Sequence, residues 1–219
     1  MSKVLVVSPH GDDETLGCGG TLLKHKANGD ETHWLIVTKM GLGGAWSETQ
    51  RANRRDEIKQ VSAHYGFTGT HELGFHTTDL DRIPMAVLAQ EFGKVLRAVK
   101  PDTVYLPFRG DSHTDHRVTF DAATGCAKWF RYPSVKTILA YETPSETECG
   151  LTDRFSPNVY VDITATLQGK IDAMAVYVSE NAPYPMPRSP EALTALARYR
   201  GSSVGLQAAE AFMLLREVR

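Results

Sequence analysis

The chain has 219 residues, which suffices for one α/β domain with a substantial core but is short for two. Its formal net charge of −2 argues against electrostatic binding of nucleic acid, which needs a basic face. The three cysteines are widely spaced and fit neither a disulfide framework nor a Cys-x-x-Cys zinc site. No signal-peptide stretch precedes the first predicted strand, and no run approaches the ~18 apolar residues of a membrane span. We therefore expect a single domain over residues 1–219, reduced, soluble and cytoplasmic.

Strands and helices alternate through most of the chain. The apolar run 4–7 predicts a buried parallel strand, and a helix over 15–28 is expected to end at Gly29. By the same reasoning, strands are predicted at 31–39, around 71–74, 103–108, 137–142 and 158–163, and helices at 47–65, 84–99, 113–129 and 165–178. The segment Gly41-Leu42-Gly43-Gly44 marks a loop. This alternation predicts an α/β fold with a doubly wound, mostly parallel sheet.

The C-terminal part has a different pattern. A proline-rich loop at 182–190 is followed by a predicted pair of helices, roughly 191–199 and 205–217. The roughly 30 residues after the loop are too few for an independent core. We therefore expect the loop to form part of the rim of a site, with Tyr184, Arg188 and Trp46 near its entrance.

Two polar clusters each follow a predicted parallel strand. One is Ser8-Pro9-His10-Gly11-Asp12-Asp13-Glu14, and the other is Asp111-Ser112-His113-Thr114-Asp115-His116. Ligands of open α/β sheets bind at the carboxyl ends of strands, so the two clusters are expected to meet at one edge of the sheet. Imidazole nitrogens and carboxylate oxygens are usual zinc ligands, and a catalytic zinc needs three of them with one open position. The residues therefore predict a hydrolytic metal site.

Both clusters resemble the motifs of the LmbE/PIG-L family of metal-dependent N-deacetylases, His-Pro-Asp-Asp-Glu and a later His-x-Asp-His. The resemblance extends to Gly17-Cys18-Gly19-Gly20-Thr21, Arg54-Arg55-Asp56-Glu57, Arg200-Gly201 and Ala209-Glu210-Ala211-Phe212, and so covers nearly the whole chain. It implies a three-layer, Rossmann-like sheet with helices on both faces, and removal of an N-acetyl or similar N-acyl group from an amino sugar or sugar conjugate. One departure is Gly11, where the family has proline; a looser loop with little effect is expected.

The resemblance also implies roles for individual residues. The implied metal ligands are His10, Asp13 and His116. Asp12 would be the general base that activates water beside Zn²⁺, although Fe²⁺ also suits two histidines and an aspartate. His113 would act beside the substrate carbonyl as an imidazolium that stabilises the oxyanion and protonates the leaving amine. Asp115 would orient His113 and favour its charged form.

Other residues have alternatives that the sequence leaves open. Asp12 could instead cap the following helix. Arg54 is the better candidate for a sugar or phosphate contact, whereas Arg109 and Asp111 could contact substrate or pair with each other. Gly17, Gly19 and Gly20 are better explained by close helix–sheet packing than by phosphate binding, because no Gly-x-Gly-x-x-Gly or Walker pattern is present.

Two rival functions remain. A metal-dependent phosphoesterase commonly holds two metals ~4 Å apart and would need more carboxylate ligands than can be placed in the two clusters. A non-catalytic nucleotide-sugar-binding protein would keep the fold but would have no need of Asp12. The expected partner is a small amino-sugar substrate, and the C-terminal loop and helices are compatible with a homo-oligomer.

Overall fold

A computed structural model describes residues 1–41 and 46–219, and the predicted loop at 41–44 lies mostly outside them. The strands are β1 (Lys3–Ser8), β2 (Glu31–Lys39), β3 (Gly69–His76), β4 (Thr103–Pro107), β5 (Thr137–Tyr141), β6 (Val159–Asp162) and β7 (Ala209–Arg216). The helices are α1 (Asp13–Ala27), α2 (Glu48–Tyr65), α3 (Met85–Val99), α4 (Thr114–Cys126), α5 (Leu167–Val176) and α6 (Pro190–Ser202), with a short 3₁₀ turn at Leu80–Arg82. In the described part of the chain, no helix is both long and apolar enough to span a membrane.

The strands form one mixed sheet in the order β3-β2-β1-β4-β5-β7-β6. β1 to β5 are parallel, and β7 runs antiparallel to its neighbours β5 and β6. The strand order reverses at β1, which pairs with β2 on one side and β4 on the other. The carboxyl ends of β1 and β4 therefore lie side by side, at the switch point where open α/β sheets bind ligands.

Helices cover both faces of the sheet because the side chains of its strands alternate between the faces. Leu5 and Val7 of β1 belong to a core that includes α3 and α4. Val4 and Val6 belong to a second core that includes α1, α2 and α5. The predicted three-layer, mostly parallel α/β architecture is thus confirmed.

The predicted ends of α2 agree with its capping groups. The Ser47 hydroxyl accepts from the backbone of Gln50, and the Gln50 side chain accepts from the backbone of Ser47, which together make a capping box. Gly66 ends the helix in the left-handed conformation that glycine adopts without a Cβ penalty. Local sequence signals therefore define this helix.

The predicted helix at 205–217 is wrong, because residues 209–216 form strand β7. This segment is rich in alanine, leucine, methionine and glutamate, which favour helices in isolation. Between β5 and β6, however, it pairs its backbone on both sides, and this tertiary context overrides the weak local preference. Buried Glu210 then ties the strand to α1, because its carboxylate accepts from the backbone of Gly20 at 2.9 Å and Thr21 at 2.7 Å.

Close packing explains the glycines at the start of α1. A Cβ on Gly17 would lie 2.2 Å from Cδ2 of Tyr141, and one on Gly20 would lie 2.7 Å from Cβ of Ile163. The Tyr141 ring cannot move aside easily, because it is fully buried and its hydroxyl donates to the carbonyl of Val7 at 2.9 Å. The packing interpretation of these glycines is confirmed.

We expect Gly17→Ala to lower the free energy of unfolding by about 1–3 kcal/mol, because the added methyl group overpacks α1 against Tyr141. Urea unfolding of the two proteins would measure the difference. Gly125→Ala, near the end of α4, is the matched control, because its Cβ would meet no atom within 4 Å. A Gly17→Ala protein as stable as the control would contradict this account.

Candidate functional site

Three ligand atoms converge where β1 and β4 end. His10 Nδ1 lies 3.3 Å from Asp13 Oδ2, and His116 Nε2 lies 3.5 Å from Asp13 Oδ1. One ligand atom from each of the three residues lies within 4.8 Å of the others. Ligands ~2.0–2.2 Å from a tetrahedral zinc are ~3.3–3.6 Å apart, so these side chains fit a single ion with an open fourth position. The backbone N–H of His10 also donates to Asp13 Oδ2 at 2.8 Å, which fixes the carboxylate in the turn.

In His10 and His116, the ring nitrogen that points away from Asp13, here called the outer nitrogen, lies against a second carboxylate. His116 Nδ1 lies 2.7 Å from Asp111 Oδ2, and His10 Nε2 lies 3.1 Å from Asp115 Oδ2. Such outer carboxylates fix the ring orientation of a metal-binding histidine and make its inner nitrogen a better donor. Asp111 is buried, and its other oxygen accepts from the hydroxyl of Thr147 at 2.5 Å. Both carboxylate oxygens of Asp111, predicted to contact substrate, are thus engaged by His116 and Thr147.

Asp115, predicted to orient His113, lies closer to His10. The Asp115 carboxylate is 3.9 Å from His113 Nδ1 but 3.1 Å from His10 Nε2. The backbone of Thr78 donates to the same carboxylate oxygen at 2.8 Å. His113 Nδ1 instead accepts from the backbone N–H of Asp115 at 3.1 Å, so a neutral His113 carries its proton on Nε2. Burial and the neighbouring His10 lower the pKa of His113, which favours the neutral ring over the predicted imidazolium.

Asp12 occupies the N-cap position of α1, but its side chain makes no capping hydrogen bond. The carboxylate lines a cavity, and Oδ2 accepts from Nη1 of Arg188 at 2.8 Å. Burial and the adjacent Asp13 raise the pKa of Asp12, while Arg188 and Arg54 oppose the shift. The alternative reading of Asp12 as a helix cap is therefore not supported.

Arg54 lines the same cavity, but its donors are directed at protein groups. Nη1 donates to the carbonyl of Gly11 at 2.9 Å, and Nη2 donates to Oε1 of Glu180 at 2.5 Å. A Cβ at position 11 would lie 3.0 Å from Cγ1 of Ile58, so glycine allows α2 to pack closely against this turn. Arg54 thus supports the loop that carries Asp12.

The sequence placed Arg188 only in a rim loop and gave no role to Glu180. In the structure, Glu180 lies between two arginines, since Oε2 accepts from Nη1 of Arg188 at 2.8 Å while Oε1 accepts from Arg54. Arg188 also lies 3.7 Å from Glu146. The one sequence signal for a role of Arg188 was the predicted position of the proline-rich loop at the rim. No spacing rule connects residue 188 to residue 12. Of the other expected entrance residues, Trp46 lines the cavity, whereas Tyr184 is exposed.

Arg109 lies outside this arrangement. Its Nε donates to Asp121 Oδ1 at 2.7 Å, and the two side chains form an exposed ion pair on the surface of α4. Neither a substrate contact nor pairing with Asp111 is supported, because Asp111 bonds to His116 and Thr147 instead.

A cavity of about 360 Å³ opens beside the cluster of His10, Asp13 and His116, and its lining residues include His10, Asp12 and His113. Its other walls come from the end of β2, the first half of α2, and the segment that carries Arg188. This volume is within the range of small-molecule sites. A second cavity of about 500 Å³ beside the ion pair of Arg200 and Glu142 contains none of the ligand atoms.

Comparison with known proteins links this site to a family. Residues 5–127 match the PIG-L family, described as GlcNAc-PI de-N-acetylase. The chain is 28% identical over 192 residues to diacetylchitobiose deacetylase of Thermococcus kodakarensis, covering 82% of this chain and 70% of that protein. It is 24% identical over 186 residues to the probable N-acetyl-alpha-D-glucosaminyl L-malate deacetylase 2 of Bacillus cereus, covering 81% and 83%. The solved N,N'-diacetylchitobiose deacetylase from Pyrococcus horikoshii superposes with a TM-score of 0.80 at 25% identity, covering 98% of this chain and 84% of that one.

We expect Asp111→Asn to weaken Zn²⁺ affinity about 10–100-fold, because the amide no longer holds His116 Nδ1 through a charged hydrogen bond. Competition with a chromophoric chelator would measure the affinity. Asp121→Asn is the matched control, since Asp121 lies on the surface of α4 and pairs with exposed Arg109. Equal affinities in the two variants would contradict the assigned role of Asp111.

The position of Asp115 gives a separate prediction. Asp115→Asn is expected to weaken Zn²⁺ affinity about tenfold or more through His10, whereas His113→Gln should retain the affinity of the unmodified protein. The same chelator competition applies to both variants. If His113→Gln weakened the metal and Asp115→Asn did not, the pairing of Asp115 with His10 would be wrong.

Proposed function

The chain belongs to the PIG-L family, and from this premise we propose that it is a metal-dependent hydrolase that removes the N-acetyl group, or a similar N-acyl group, from an amino sugar or sugar conjugate. The names of its relatives support this reaction class, since they are deacetylases of amino-sugar compounds. The observation that carries the proposal is the convergence of His10, Asp13 and His116 beside an Asp12 carboxylate that is free of helix capping.

The ligand atoms His10 Nδ1, Asp13 carboxylate and His116 Nε2 would hold a divalent metal ion. Such an ion supplies Lewis acidity, which acidifies water and polarises an amide carbonyl. We propose Zn²⁺ as the resident ion, although the same ligands accept Fe²⁺.

Asp12 takes the proton of the attacking water in this proposal. Its Oδ2 is held by Arg188, and none of the described residues donates a hydrogen bond to Oδ1, which leaves that oxygen for water. Because burial raises the pKa of Asp12, its basicity lies closer to that needed for proton transfer near neutral pH. The protonated carboxyl then returns the proton to the departing amine nitrogen.

His113 stabilises the carbonyl oxygen as its negative charge develops. Its ring centroid lies 4.6 Å from that of His10, which places it beside the proposed ligand set. With Nδ1 engaged by the Asp115 backbone, Nε2–H is the group that donates to the oxygen.

The two rival functions fit the site less well. Within residues 1–41 and 46–219, the two sets of potential ligands contain only two carboxylates, Asp13 and Asp115, and a two-metal phosphoesterase would need more. A binding protein would not require a buried carboxylate held beside the ligands by Arg188.

We expect Asp12→Asn to lower kcat for acetate release about 10²–10⁴-fold while Zn²⁺ binding persists, because the amide cannot accept the proton. Acetate would be measured with N-acetylglucosamine and UDP-N-acetylglucosamine, on metal-free protein and after Zn²⁺ or Fe²⁺ is restored. Arg109→Gln is the control and should retain full activity. Full hydrolysis by Asp12→Asn would show that the base is misassigned, and release without metal would refute the proposed centre.

A further inference from the structure

One wall of the active-site cavity carries three cations that take no part in the support of Asp12. Lys39 is the last residue of β2, and Arg51 and Arg55 lie four residues apart on α2, so they share one face of that helix. All three line the cavity that contains His10, Asp12 and His113.

The charges of the other two arginines that line the cavity are largely matched. Arg188 pairs with Asp12 and Glu180, and Arg54, also on α2, pairs with Glu180 and Glu57. An incoming negative group would therefore find little free positive charge at Arg54 or Arg188.

The wall formed by β2 and α2 has an excess of positive charge. Among the described residues, no carboxylate forms an ion pair with Lys39, Arg51 or Arg55. Of the acidic residues that line the cavity, Asp12, Glu146 and Glu180 lie near Arg188, and Glu72 on β3 is exposed. The one described hydrogen bond of these cations joins Arg51 Nη1 to the carbonyl of Trp46 at 2.6 Å. This local excess contrasts with a whole-chain formal charge of −2.

An ordinary solvated helix surface does not explain this grouping. Lys59 represents such a surface on the same helix, since its side chain is 78% exposed and pairs with Asp56 three residues away. Lys39 and Arg55 are also exposed and Arg51 is partly buried, but all three line a concave site, where low-dielectric walls strengthen the attraction for an anion. Arginine and lysine side chains are the usual partners of carboxylate and phosphate groups.

We propose that Lys39, Arg51 and Arg55 form an anion subsite, and that the preferred substrate is an amino-sugar conjugate whose non-reacting part carries a carboxylate or phosphate. This inference rests on the proposed deacetylation at the adjacent centre. Binding of the remote anion orients the acetamide over the metal ligands, so that part of the binding energy lowers the barrier to hydrolysis.

The test compares matched substrates on the Zn²⁺-loaded protein. The probes are carboxymethyl N-acetylglucosaminide, its neutral carboxamide and N-acetylglucosamine 1-phosphate. We expect kcat/KM to be at least about tenfold higher for the better anionic probe than for the carboxamide. Arg55→Gln and Lys39→Gln should each reduce that preference about five- to tenfold, mainly through KM, and leave the carboxamide unaffected. Lys59→Gln is the control and should change neither substrate.

The outcomes separate this inference from the proposed function. Equal hydrolysis of charged and neutral probes, unchanged in the variants, would overturn the subsite while the deacetylase assignment stands. If no probe releases acetate, calorimetric binding of the carboxymethyl and carboxamide probes decides the question. A preference for the carboxymethyl probe that falls in Arg55→Gln then supports the subsite, and equal or absent binding overturns it. The ratio of the two anionic probes identifies carboxylate or phosphate as the recognised group.

Discussion

The Asp13 carboxylate at the start of α1 is the contact on which the rest of the site depends. Its two oxygens face His10 Nδ1 and His116 Nε2, and the backbone of His10 donates to one of them. Burial disfavours the charged form, but His116 and His10 hold the pKa of Asp13 well below its usual range. An ionised, buried carboxylate of this kind needs both histidines close by. The arrangement is possible because β1 and β4 are neighbours in the sheet.

The supporting residues come from parts of the chain that are far apart. Asp111 and Asp115 precede or begin α4 and hold the outer nitrogens of the two histidines. Arg188 comes from the proline-rich loop and holds Asp12. Because each support belongs to a different segment, the ligand geometry depends on the docking of the helical layers and not on the two motifs alone. The family identity defines the reaction class, whereas the residues around the cavity decide which substrate fits.

The arginines show how position determines what a single side-chain type does. Arg54 and Arg188 are largely shielded from solvent and surrounded by acids, so they act as structural supports for the turn that carries Asp12. Arg109 is exposed and pairs with Asp121, where an ion pair contributes little. Arg55 lines the cavity and forms no ion pair with any described carboxylate, which leaves its charge available to a ligand. The residue type alone could not distinguish these cases.

The sequence by itself determined the elements whose signals are local, such as β1, β2 and the capped helix α2. It also located both ligand clusters, because parallel strands of an alternating α/β chain bring their carboxyl ends to one edge. Tertiary structure decided the rest. The segment 209–216 became a strand because its backbone pairs on both sides, against its own helical preference. Asp115 contacts His10, which is 105 positions away in the sequence, and Arg188 contacts Asp12, which is 176 positions away. No local sequence pattern encodes a contact over such a separation.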